Sequence, residues 1–476
     1  MKTILTALLL TPFAALDAAE PARDANRYLK IVRAYADCMI KHGRDTYGKE
    51  HSPLFAEALD RRTLKLLEGD ALKKAKSLTF EEWLIRPNDR MLTGANPMHC
   101  LNLYQVLYAL AEVTGEKRYA TEADASLKYF LEHCQSPVTG LFYWGEHAGW
   151  DFQKDAPIGK VIGKRPVPAV HEFFRPWVLW DRCWELAPDA CVKFASGLWE
   201  HQIGDHETGL YSRHAAVHAH APATDAPYPR HGGWYVLTWA QAYRHTRDAV
   251  FLKAIETMVD CQERLRLGGG MIAGGNIKNP GSRKAQDINF AVSLWEAAAL
   301  LPEPLAEKLR QVARANDLPP ATDVRPILKS PNIWTGGYGG AGGQIAGPAN
   351  LLLLRYRQTQ PEQYRERILA VADIHLTSPV MLDFPLHPDV FGKAIHLLLG
   401  AHELTGDSRY LARADELAGE SVKLFLPDDS PLPKATHQHD HYEAVTRGDS
   451  LMMALLEVWA VHQKPPRKLP LIYTDR

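Results

Sequence analysis

Four side-chain types recur where apolar helical stretches begin: Asn96, His171, Arg230 and Tyr235. An amide, an imidazole, a guanidinium and a phenol form a set able to remove a proton from a carbon that carries a carboxylate. Such a proton is weakly acidic until the charge of the carboxylate is offset, and one well-placed donor to developing anionic charge contributes roughly two to three powers of ten in rate. A tyrosine, with a reference pKa of about 10, acts as base when a neighbouring cation favours phenolate. Its phenol can then return the proton to the leaving oxygen. Uronate polymers pose this problem, because the carboxylate lies beside C5 and loss of the C5 proton expels the glycosidic oxygen.

Other loops supply further groups of the same kinds. HGRDTYGKEHSP contains Tyr47, and TGANPMH places His99 just after Asn96, where N-capping ahead of Pro97 is the plain alternative role for the amide. FYWGEHAGWDFQKD carries His147 and Trp150 among aromatics that either stack on sugar rings or pack in a core. In VPAVHEFFRPW a helical reading sets His171 and Arg175 four apart on one face. TGLYSRH adds Tyr211 and Arg213, and HGGWY adds His231 beside Tyr235. Tyr235 and Tyr211 both remain open as the base; Tyr235 is preferred because a helix entrance is more rigid than a loop.

No metal ligand set is assigned. The histidines 214–220 match no zinc spacing, and THQHDHYEAVTRGD offers His437, His439, Asp440, His441 and Glu443 without H-E-x-x-H, so a hydrogen-bonded ring closure competes there with a divalent cation. GGGMIAGGN and WTGGYGGAGGQ lack the lysine and the strand–helix context of phosphate loops.

These loops need elements to hold them. LAEVTGEKRYATEAD (Leu110–Asp124) returns as AHELTGDSRYLARAD (Ala401–Asp415) and more weakly as AYRHTRDAVFLKAIE (Ala242–Glu256), each a helix end, a turn and a new helix in one register. TGLFYWGEH (Thr139–His147) is echoed by TGLYSRH (Thr208–His214). Inner helices are expected to begin near residues 96, 171, 231, 286, 343, 389 and 442, with more polar partners between them and residues 25–42 closing the ring. The prediction is an all-α protein: a single-domain (α/α) barrel or toroid of about seven helical hairpins, with an open solenoid as the alternative. In a toroid the loops entering the inner helices meet at one end of the axis.

The 476 residues carry a net charge of −1, which provides no general field for nucleic acid. The start, MKTILTALLLTPFAALDAAE, reads as an export signal over residues 1–19 ahead of a catalytic domain at 20–476, in the periplasm or secreted, with no membrane anchor. Of six cysteines, Cys183 and Cys191 flank a turn that a disulfide could bridge. Oligomeric state carries no signal here.

TGANPMH, WGEHAGWDF, VHEFFRPW and HGGWY, with the export signal and hairpins, resemble the toroidal polysaccharide lyases, most nearly polysaccharide lyase family 38. That resemblance implies cleavage of glucuronan or alginate by β-elimination, with Asn96 as neutralising amide, His171 or His147 as imidazole, and Arg230 with Tyr235 or Arg213 with Tyr211 completing the site. The implied partner is an anionic polysaccharide, and no firm cofactor follows. Two alternatives stand beside it. An (α/α)-barrel glycoside hydrolase would need paired carboxylates, Glu146 with Asp151 or Asp287 with Glu443. A periplasmic glycan-binding protein would need no base at all.

Overall fold

A computed structural model of the chain describes residues 26–158, 160–162, 165–167, 170–220, 222, 224, 227–267, 287–326, 328, 330–337 and 342–473. The expected export signal, the glycine run 268–276 and residues 338–341 of the second run lie outside the described residues.

The helices in chain order are α1 (Asn26–His42), α2 (Gly69–Ser77), α3 (Phe80–Trp83), α4 (Leu101–Thr114), α5 (Arg118–His133), α6 (Trp180–Leu186), α7 (Pro188–Gly197), α8 (Pro229–Thr246), α9 (Ala249–Leu267), α10 (Ile288–Ala298), α11 (Leu305–Ala315), α12 (Ala346–Thr359), α13 (Glu362–Thr377), α14 (Pro388–Thr405), α15 (Ser408–Phe425) and α16 (Gly448–Val461). Around the ring α8 packs on α10, α10 on α12, α12 on α14, α14 on α16 and α16 on α4. Each of α4, α8, α10, α12 and α14 is followed by an outer partner against which it packs. The chain is an (α/α) toroid, as its periodicity predicts.

Burial patterns explain the two layers. Outer α5 buries Tyr119, Ala123, Ser126, Leu127 and Phe130, and α15 buries Tyr410, Ala414, Leu417, Ala418 and Ser421, the same one-sided stripe in both. Inner α14 and α16 are buried almost all round. The repeated Thr-Gly turn has a physical cause. Thr114, Thr246 and Thr405 each donate back to the carbonyl four residues earlier and accept the amide two residues later. The next residue, Gly115, Arg247 or Gly406, ends the helix in the left-handed region.

Strands among the described residues are only two or three residues long: β1 (Ala58–Leu59), β2 (Gly94–Ala95), β3 (Trp150–Asp151), β4 (Ala156–Pro157), β5 (Lys160–Ile162), β6 (Arg165–Val167), β7 (Val170–His171), β8 (Ala215–Ala216) and β9 (Tyr442–Glu443). They tie loops together. The helix expected from His171 is absent: β7 pairs antiparallel with β8, and α6 begins only at Trp180. Between α4 and α8 the ring is therefore filled by an irregular segment and two short helices.

The seam joins the two ends of the ring. β1 pairs antiparallel with β9, and the hydroxyls of Tyr35 and Tyr442 are 3.0 Å apart. Arg90 holds buried Glu443 through two bonds of 2.6 Å, and His441 adds a third contact at 2.8 Å. Burial alone would raise the Glu443 pKa, but Arg90 and then His441 overcome it and hold it at about 2. His439 bonds Thr436, His437 accepts the Leu386 amide, and Asp440 pairs with Arg61. The 437–443 cluster thus serves ring closure. Cys183 and Cys191 are buried thiols rather than a disulfide, and burial pushes the Cys183 thiol up to about 12.

Candidate active site

Two similar turns deliver two imidazoles to one place. Gly140 and Gly209 both have φ near +71°, and after each the chain folds back on the preceding element through a single bridge, Phe142 to Gln135 and Tyr211 to Ile203. The first return ends in Glu146 and His147; the second ends in Arg213 and His214. Between them runs the chain leaving β7, whose next residue is Glu172. Gly145 lies against Glu172 with φ +107°, and a Cβ there would sit 1.7 Å from the Glu172 carbonyl oxygen, so only glycine permits this approach.

Glu172 is the centre. Its side chain is fully buried, with Oε2 at 2.9 Å from His214 Nε2 and 3.3 Å from His147 Nε2. Oε1 lies 3.0 Å from Arg213 Nη1 and 3.5 Å from His231 Nε2. Burial alone would raise its pKa, but His214, His231 and Arg213 outweigh that and hold it well below the usual carboxylate range. The carboxylate stays ionised.

A second layer orients the first. His147 Nδ1 sits 2.9 Å from buried Asp89, so its N–H donates there and Nε2 is left with a lone pair toward Glu172. Asp89 also accepts from Arg86 Nε at 2.6 Å, and Arg86 reaches Glu146 as well. His231 Nε2 donates to the Phe173 carbonyl at 3.2 Å and lies 3.5 Å from Glu172 Oε1. Burial lowers its pKa to about 3, so it remains neutral.

These donors fit a divalent cation. His147, Glu172 and His214 offer two imidazole nitrogens and a carboxylate oxygen within 4.8 Å of one another, and Asp89, Glu146 and His147 form an overlapping group. Mixed nitrogen and oxygen donors near 3 Å apart are what adjacent ligands of a small cation present, and the Asp89–His147 pair is the usual outer support of such a ligand.

The expected residues fall into two groups. His147, Arg213 and His231 contact Glu172 directly. Arg230 lies 5.0 Å from the centroid of the Tyr228 ring, which Arg213 also approaches, at 4.9 Å. The others are built into the frame. His171 accepts from the Trp144 indole at 3.0 Å and bonds Gln202 at 2.8 Å, and burial lowers its pKa to about 4. Asn96 donates to the Gly145 carbonyl at 2.6 Å and accepts the Met98 amide, pinning the Glu146–His147 loop. Tyr235 is fully buried against Phe173, and Tyr211 donates to the Tyr228 carbonyl. Burial raises both phenols well above 10. His99 pairs with Glu57 at 2.8 Å, Arg175 lies over Phe174, Trp150 sits in β3 beside Tyr143, and Tyr47 stacks on Phe152.

The site residues not anticipated are Glu172 as centre, with Asp89, Arg86 and His214. The signal for His214 was the TGL echo, both copies of which end in histidine, and Glu172, Asp89 and Arg86 lie outside it. The carboxylates considered for a hydrolase are occupied otherwise: Asp151 takes Thr93 and two amides, Asp287 caps α10, Glu443 holds Arg90, and Glu146 pairs with Arg86.

Residues 63–230 match the family model described as "Periplasmic pectate lyase". The match contains Arg86, Asp89, Glu146, His147, Glu172, Arg213 and His214 and ends one residue before His231, and it does not point to family 38. Among solved structures, the chain shows a distant similarity to three. A D-mannose isomerase is 12% identical over 92% of this chain and 98% of its own, with a TM-score of 0.46. A family 76 glycoside hydrolase from a bovine Bacteroides thetaiotaomicron strain is 10% identical over 90% and 77%, at 0.44. A polysaccharide lyase is 11% identical over 90% and 52%, at 0.41. At such scores and identities none of the three assigns a reaction.

Proposed function

We propose that the chain is a periplasmic polysaccharide lyase that cleaves a polyuronate by β-elimination, with a divalent cation held by His147, Glu172 and His214 and with Arg213 as proton acceptor. The carrying observation is the convergence of two imidazoles, His147 and His214, with Arg213 on the buried Glu172 carboxylate. The description of the matching family supports both the reaction and the compartment, and it puts polygalacturonate first among substrates, ahead of polymannuronate and glucuronan.

The bound cation would neutralise the uronate carboxylate and so acidify the C5 proton. The chain's own residues do the rest. Asp89 keeps His147 in the tautomer that presents Nε2, and His231 holds the second oxygen of Glu172 in place. Arg213 lies beside this centre and still reaches solvent, its side chain 20% exposed. As proton acceptor Arg213 would act through its neutral guanidine, positioned by the 3.0 Å contact of Nη1 with Glu172 Oε1. The C5–H bond breaks toward Arg213, C4=C5 forms, and the C4–O bond breaks with the leaving oxygen taking a proton from solvent. Tyr235 and Tyr211 are not assigned the base, because their enclosure opposes phenolate.

The test is product absorbance. Purified protein with polygalacturonate, polymannuronate or glucuronan and Mn²⁺, Co²⁺ or Ca²⁺ should yield ultraviolet-absorbing unsaturated ends. Absence of that product with every pairing would reject the lyase reading. Arg213→Lys should lower kcat by about 10²–10⁴-fold, the usual worth of a positioned base; undiminished turnover would reject Arg213.

A further inference from the structure

Arg230 breaks a local rule. It is the second residue of α8, directly after Pro229, where the helix dipole is positive and disfavours a cation. Among the described residues its guanidinium has no hydrogen bond and no carboxylate within ion-pair distance; its close neighbour is the half-buried Tyr228 ring. Burial and then Arg213 lower its pKa, so the environment disfavours the charge it carries. Glu172 and Asp287 favour the charge from a distance without making contact, and a desolvated cation placed against a dipole with no protein anion in contact is the pattern of a site completed by an anionic ligand. The ring beside it is shared: Tyr228 has Arg230 on one side and Arg213, which touches Glu172, within 4.9 Å.

We infer that Arg230 and the Tyr228 ring form a subsite for the carboxylate and pyranose face of the sugar adjoining the one that is cleaved. This rests on the lyase reading and narrows it: the site selects two consecutive uronates with free carboxylates, and methyl esterification of the neighbour removes the partner of Arg230.

The test separates the two claims. Calorimetric binding of trigalacturonate and of its methyl ester, in EDTA, is compared between wild type and Arg230→Gln, beside kcat and KM on polygalacturonate and on highly esterified pectin. The variant should bind the free acid at least about 10-fold more weakly with ester affinity within 2-fold, and KM should rise while kcat holds. Arg230→Lys should recover part of the loss. Removal of a cation from a helix N-terminus should not lower Tm, so a fold defect is distinguishable. Equal free-acid affinity in wild type and Arg230→Gln, or a wild type that binds neither form, overturns the subsite. Binding lost in the variant with no unsaturated product from wild type would sink the lyase reading and leave the subsite standing.

Discussion

Replacing Glu172 by Gln removes one charge and almost no volume from the centre of the site. Glu172 has His214, Arg213, His147 and His231 at 2.9, 3.0, 3.3 and 3.5 Å. If its only task were to balance those groups, Glu172→Gln would cost about 3–5 kcal/mol of stability, as loss of one partner from a buried pair does, and added cations would change neither protein. A ligand role predicts a difference between them. A cation at a hundred times its Kd stabilises the folded state by about 2.7 kcal/mol. With an unfolding entropy of about 2.1 cal/mol/K per residue, the whole chain has about 1 kcal/mol/K, so Tm should rise by roughly 3 °C. The assay is scanning calorimetry at pH 7.5 after EDTA dialysis, with Mn²⁺, Co²⁺, Ni²⁺ or Ca²⁺ titrated back. Wild type should respond to at least one ion and Glu172→Gln to none. A flat wild type with all four ions, or an equal shift in the variant, would refute the reasoning.

Three further outcomes follow from the same geometry. Asp89→Asn should weaken cation affinity by about 10–100-fold, because it loosens the tautomer and orientation of His147; an unchanged Kd by calorimetric titration would remove Asp89 from that role. Tyr235→Phe should keep kcat within about 3-fold of wild type, and loss of turnover in a folded variant would return the base to that phenol. His171 and His231 have folded pKa values lowered by burial to about 4 and about 3. Their neutral forms favour the fold, so their contribution is complete above about pH 6.5, the unfolded value, and is lost as pH falls toward 4. Urea midpoints should therefore drop between pH 7 and pH 5, and a flat profile there would contradict neutral histidines.

The toroid was legible because its turns are chemical. Thr114, Thr246 and Thr405 repeat one hydrogen-bond pattern, and glycine or arginine in the left-handed region follows at the same offset, so helix ends could be read from the sequence. The site was legible by loop but not by residue. Helical periodicity through VHEFFRPW puts His171 with Arg175, whereas the chain there is extended, and consecutive residues face opposite sides. His171 turns into the aromatic core and Glu172 toward the two imidazoles. A two-residue strand set by its pairing with Ala215–Ala216 leaves no periodic trace. Tyr235 misled for a related reason: at the α8 entrance both sides are buried, so a position near the loops is not a position on a surface.

The seam has a consequence for how the molecule comes into being. The contacts that shut the ring, Ala58 to Glu443 and Leu59 to Tyr442, join partners separated by most of the polypeptide. Closing a loop of that order costs about 5 kcal/mol in chain entropy by logarithmic scaling. Every group around Glu172 lies between Arg86 and His231, so a nascent chain holds the full set long before α14–α16 exist to complete the circle. Until then the apolar flank of α4 that packs on α16 has no neighbour. An unfinished chain is therefore a natural client for holding chaperones, and maturation of the enzyme waits on the arrival of its last helix.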